Sequence, residues 1–96
     1  MNDLEISKAL ALAIGWSMTN VLPSDENPTL MQCWVWVGYK WRVFDYRDWN
    51  VIAPIAERYN CFPYRNGGAW WKTVNYMSWA DTPQKAIALA VIGAKK

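Results

Sequence analysis

The sequence predicts an α+β fold of three helices and about four antiparallel strands in two hairpins, ordered α-β-β-α-β-β-α within one domain spanning 1–96. Three observations predict it. Apolar residues recur at helical spacing near both ends of the chain. Two alternating apolar stretches are each broken by a glycine-containing turn. A third helical segment, opened by an aspartate, lies between them.

The first helix is capped by Asn2, and Glu5 three residues later completes a capping box. Ile6, Leu10, Ala13 and Ile14 share its apolar face, and Gly15 supplies the left-handed residue that ends it. Residues 16–31 read as a loop, because Pro23, Ser24, Asp25, Asn27 and Pro28 interrupt any regular pattern. Residues 32–38 form a strand with Cys33, Val35 and Val37 on one face and Trp34 and Trp36 on the other. Gly38-Tyr39 turns it into a second strand, 40–44, where Trp41 and Val43 share a face opposite Arg42 and Phe44.

Asp48 then caps a helix running to about Tyr59, with Asn60 as its C-cap. Pro54 either kinks this helix or stands in the first turn of a shorter one. The second hairpin joins 61–65 to 69–77 through Asn66-Gly67-Gly68. The closing helix begins at Asp81-Thr82-Pro83-Gln84, with Asp81 as a candidate cap. It buries Ala86, Ile87, Ala90 and Val91, ends at Gly93, and has Lys95 and Lys96 beside the negative end of its dipole. The expected assembly is a single sheet made from both hairpins. The first and last helices pack on it, and the 48–59 helix crosses between the hairpins.

A hydrophobic content of 53% is that of a folded chain rather than a disordered one. No apolar run approaches the roughly 20 residues that span a bilayer. Asp3 and Glu5 stand where a signal peptide would be basic, so no membrane association is expected. Cys33 and Cys61 are expected to be buried thiols, although strand neighbours could also bridge. The chain contains no histidine, and the cysteine spacing fits no zinc site. Triads and most acid–base pairs are thereby removed, and no phosphate-cradling glycine loop is present. The sequence therefore offers no catalytic residue, no metal site and no cofactor. A magnesium site from Asp45, Asp48 and Glu57, with Asp81 as a further carboxylate, is the one metal arrangement it would allow. Helix capping explains Asp48 and Asp81 more simply.

Three segments carry a family resemblance: Ala9–Trp16, Asp45–Tyr59 and Asp81–Ile92. Their order and content resemble the small NinX-like proteins of lambdoid phages and prophages. Those have an alanine-rich helix ending at glycine, an Asp-Trp before a Pro-Ile-x-Glu-Arg helix, and a closing alanine-rich Thr-Pro helix. The resemblance covers most of the chain outside 17–31. It implies an accessory phage product located in the cytoplasm of the bacterial host, and it supplies no catalytic residues.

Eight tryptophans exceed what a core of this size needs. Neighbours such as Trp70 and Trp71 must face opposite sides of a strand, so some indoles are expected at the surface. Filling the space between sheet and helices is the simpler use for most of them. Residues 1–39 hold Lys8 against Asp3, Glu5, Asp25 and Glu26. Residues 40–72 hold Lys40, Arg42, Arg47, Arg58, Arg65 and Lys72 against Asp45, Asp48 and Glu57. The candidate binding residues are accordingly Trp41, Arg42, Arg47, Trp49, Arg65, Trp70 and Trp71. Three expectations follow. The first is a non-catalytic protein that modulates the host by binding a host protein, for example one of its defences. The second is a protein that sequesters a nucleotide-like small molecule. The third is a metal-dependent enzyme acting on nucleotides. The net charge of +2 is too low to hold a long nucleic acid, and self-association is left open.

Overall fold

The Asn2 side chain accepts the Glu5 N–H at 2.8 Å, and the Glu5 carboxylate accepts the Asn2 N–H at 3.3 Å. This reciprocal box opens helix α1, Asp3–Ala13, as expected from the sequence. Just beyond its end, Gly15 takes a φ of +115° that a side chain would resist. The computed structural model describes residues 2–23, 32–65, 70–73 and 79–94. Among these residues lie three α-helices and six strands in the order α-β-β-β-α-β-β-β-α, an α+β architecture. The chain divides into two compact units, 1–45 and 46–96.

In the first unit, α1 is followed by a 3-10 turn at Met18–Asn20 and three strands: β1 (Val21–Leu22), β2 (Trp34–Trp36) and β3 (Trp41–Val43). They pair antiparallel in sequence order. Val21 opposes Val35, which opposes Arg42, and Trp36 opposes Trp41. Pleating puts Val21, Cys33, Val35 and Phe44 on one side, and all four are buried. Gly38, at φ +102°, allows the turn between β2 and β3, where the Val37 N–H donates to the Lys40 carbonyl at 3.0 Å.

In the second unit, α2 (Trp49–Tyr59) precedes β4 (Pro63–Arg65), β5 (Trp71–Thr73) and β6 (Trp79–Ala80), and α3 (Pro83–Ala94) closes the chain. The Asp48 carboxylate caps α2 by accepting the Asn50 N–H at 2.9 Å. Asn60, at φ 52°, ends it in the left-handed conformation. The helix continues through Pro54, so the proline is internal to it and not in the first turn of a shorter helix. The carbonyl that its missing N–H leaves without its i+4 donor belongs to Asn50, an exposed residue. Helix α3 contacts α2 and all three strands of its unit. Its alanines permit this close approach, and Ala86, Ile87, Ala88, Ala90, Val91 and Ile92 are all buried.

Several expectations are corrected. Among the described residues the strands form two three-stranded sheets rather than one sheet of about four strands, because each hairpin takes its third strand from adjacent chain. β1 lies inside the segment read as loop, and β6 lies beyond the second hairpin. A two-residue strand is too short for alternation to reveal it. Helix α3 runs through Gly93 to Ala94 rather than ending at the glycine. The expected turn at 66–68 and much of the 69–77 strand lie outside the described residues.

The cap of α3 is also not Asp81. The Thr82 hydroxyl oxygen accepts the Lys85 N–H at 3.1 Å, while Asp81 sits 4.0 Å from the Lys85 ammonium in an exposed pair. Thr82→Ala is therefore expected to cost roughly 1 kcal/mol. Asp81→Ala should stay within about 0.5 kcal/mol, because exposed ion pairs contribute little. Urea midpoints of the two variants measure the difference, and equal losses would return the cap to Asp81.

Candidate functional site

The second sheet has one face turned to α3 and one turned away. β4 and β5 pair Pro63 with Thr73, Tyr64 with Lys72 and Arg65 with Trp71, and β5 and β6 pair Lys72 with Trp79 and Trp71 with Ala80. Thr73 and Ala80 are buried, which identifies their face as the inner one. Tyr64, Lys72 and Trp79 consequently form a continuous row across the outer face. Alternation carried one residue beyond β4 and β5 places Phe62 and Trp70 on the same side. Phe62 is 48% exposed, Tyr64 42%, Trp70 55% and Trp79 49%. Four large rings thus surround one lysine. The Lys72 ammonium lies 5.1 Å above the Trp79 ring, within cation–π range.

The burial pattern of the tryptophans overturns the simpler sequence reading. None of the eight is buried; Trp41, Trp49, Trp70 and Trp79 are exposed, and the other four are half-buried. The buried residues of each unit are mainly aliphatic instead, with Ile6, Leu10 and Val21 in the first and Ile52, Ile87 and Val91 in the second.

The five residues singled out from sequence that lie in the second unit do not share one face. Trp70 lies on the aromatic face. Arg65 and Trp71 oppose each other on the reverse row, with the guanidinium 5.8 Å above the indole. Arg47 and Trp49 stand at the start of α2, both exposed, and the Arg47 carbonyl accepts a hydrogen bond from the Gln84 side chain at 3.3 Å. Trp41 and Arg42 belong to the first unit, on β3, where Trp41 meets Trp36 edge-on at 5.5 Å. Sequence reasoning missed Phe62, Tyr64, Lys72 and Trp79. The available signal was parity: Tyr64 and Lys72 share a face with Phe62 and Trp70 once the hairpin register is known. Trp79 had no such signal, because β6 itself was not foreseen.

Carboxylate chemistry has little support in the geometry. Asp48 is engaged as a cap, and Glu57 lies nine residues further along the same helix, about 14 Å away. Among the described residues no three His, Cys, Asp or Glu side chains gather as a metal would require. No described helix is long and apolar enough to cross a membrane. The chain matches no protein-family model, no curated protein and no solved structure.

Proposed function

We propose that this chain is a non-catalytic binding protein, a phage or prophage accessory product that modulates its host by occupying a target molecule. The outer face of the second sheet is its binding surface. The observation that carries this reading is the row Tyr64–Lys72–Trp79, flanked by Phe62 and Trp70, with every ring about half exposed. Water-exposed aromatic surface of this extent is costly for a free domain and marks an interaction face. Tryptophan and tyrosine also dominate the residues that supply binding energy. The resemblance to NinX-like proteins supports the phage origin. The four rings share one outer face of a sheet, a spread-out arrangement that favours a macromolecular target over an enclosed small molecule.

The test compares the immobilised wild-type chain with a Tyr64→Ala/Trp79→Ala double variant in bacterial host lysate. Both side chains are half exposed, so the variant should keep its circular dichroism and most of its stability. The wild type is expected to retain a component saturably, and the double variant to lose at least about 90% of it, since two such contacts carry several kcal/mol. Equal retention by both chains, or none by either, would remove the binding-face reading.

A further inference from the structure

We infer that the aromatic face of the second sheet binds a short stretch of single-stranded nucleic acid, its bases stacking on Tyr64 and Trp79 and a phosphate seated on Lys72. This rests on the binding-face reading above and adds the class of target. Three observations lead to it.

The first is charge. The net +2 of the chain conceals a division at the boundary between the two units. Residues 1–45 hold Lys8, Lys40 and Arg42 against Asp3, Glu5, Asp25, Glu26 and Asp45, a balance of −2. Residues 46–96 hold seven lysines and arginines against Asp48, Glu57 and Asp81, a balance of +4. The unit bearing the aromatic face is thus the basic one. Of its acids, Asp48 and Glu57 lie at the start and on the body of α2, and Asp81 follows β6 beside Lys85. None lies on the aromatic row.

The second is the position of the lysine. Lys72 is the centre of the row, with Tyr64 on one neighbouring strand and Trp79 on the other. Lysine is depleted from the cores of protein–protein interfaces, where its ammonium would have to be desolvated. Against a phosphodiester the same ammonium meets a full opposite charge, and stacked bases on either side leave the phosphate near it. Aromatic platforms combined with cations are the general solution for single strands.

The third is spacing and access. Strands lie about 4.8 Å apart, so Tyr64 and Trp79 are separated by about 10 Å across Lys72. That is wider than the spacing of stacked bases and suits bases splayed from a single strand, as a sheet surface requires. Phe62 and Trp70 extend the platform along the strands for a further base at each side. A duplex offers its bases only within its grooves, so it should not use this face.

The experiment titrates the full chain with fluorescein-labelled 10-nucleotide oligo-dT and oligo-U, the corresponding duplexes, and free nucleoside monophosphates. Anisotropy reports binding and tryptophan emission reports stacking. Single strands are expected to bind saturably with quenching, at least tenfold more tightly than duplex or mononucleotide. Tyr64→Ala and Trp79→Ala should each weaken binding roughly 10-fold or more, whereas Tyr64→Phe, which keeps the ring, should stay within about threefold. Lys72→Ala should reduce the slope of log affinity against log salt by about 0.7, the value of one phosphate contact on a single strand. Met18→Ala, at an exposed position of the first unit, should leave binding unchanged.

Absence of saturable quenching by either oligonucleotide would overturn the inference, as would equal affinity for duplex and single strand. Should the lysate component be a protein whose retention is lost in the Tyr64→Ala/Trp79→Ala variant but is not competed by oligonucleotide, the face is a protein interface. The nucleic-acid inference then fails while the binding-face reading stands.

Discussion

Truncating Ile87 to alanine is expected to cost about 2–5 kcal/mol of folding stability. Ile87 is fully buried on α3, the helix that touches α2 and every strand of the second sheet. Its neighbours along the helix, Ala86, Ala88 and Ala90, are themselves buried and too small to expand into the space a truncation would leave. The lost burial and the unfilled cavity therefore add, which puts the loss toward the upper part of the range. A domain of this size holds roughly 5–15 kcal/mol in all, so the variant should be visibly close to unfolding. Ile87→Val removes a single methylene and should cost only about 0.5–1.5 kcal/mol. Urea denaturation checks both: the midpoints should fall in that order with unchanged slope. A loss below about 1 kcal/mol for the alanine variant would mean that α3 is not the element on which the unit is built. The inner row of the sheet, with Thr73 and Ala80, faces this helix, so the sheet that carries the aromatic face rests on it.

The fold class and the ends of most helices were legible because each rests on local chemistry. A capping box at Asn2 and Glu5, an aspartate cap at Asp48 and a left-handed asparagine at 60 specify helix ends within a few residues, and all three stand as expected. The strands were harder. β2 and β3 are long enough for alternation to show, but β1 and β6 are two residues each and acquire their identity only by pairing with a neighbour. Missing them merged two sheets into one. The site suffered from the same cause. Whether a tryptophan is core or surface depends on which side of a sheet the covering helix lies, and a period-two pattern gives the two sides without saying which is covered. Trp70 and Trp71 both stand among the candidate binding residues, because parity puts them on opposite sides without saying which side is covered. Tyr64 and Lys72 needed the register between strands, which resides in the turn rather than in either strand. The caps show a smaller version of this limit: Asp81 and Thr82 are adjacent cap formers, and the choice between them is made by where the first helical turn begins.

Cys33 is expected to resist alkylation in the folded chain by at least about 100-fold relative to the unfolded chain at pH 8. Both cysteines are free and buried. Burial pushes the Cys33 thiol from an ordinary 9.0 up to about 11, the Lys8 ammonium partly opposes this, and the Asp45 carboxylate adds to it. Only the thiolate attacks an alkylating reagent, so a two-unit rise lowers the reactive fraction about 100-fold before steric shielding is counted. Burial also raises the Cys61 thiol, with a hydrogen bond from its own backbone acting the other way. The same preference links folding to pH. Below pH 9 both the folded and the unfolded chain keep the Cys33 proton, and this group adds no pH dependence. Above it the unfolded chain releases the proton first, so stability should fall as pH rises from about 9 toward 11. Replacing the thiol isolates this contribution: the stability gap between wild type and Cys33→Ala should be constant up to pH 9 and then shrink. Iodoacetamide labelling followed by mass spectrometry, with and without urea, measures the reactivity. Native labelling of Cys33 at the unfolded rate would show that its side of the first sheet is open to solvent, and the aliphatic core described for that unit would have to be redrawn.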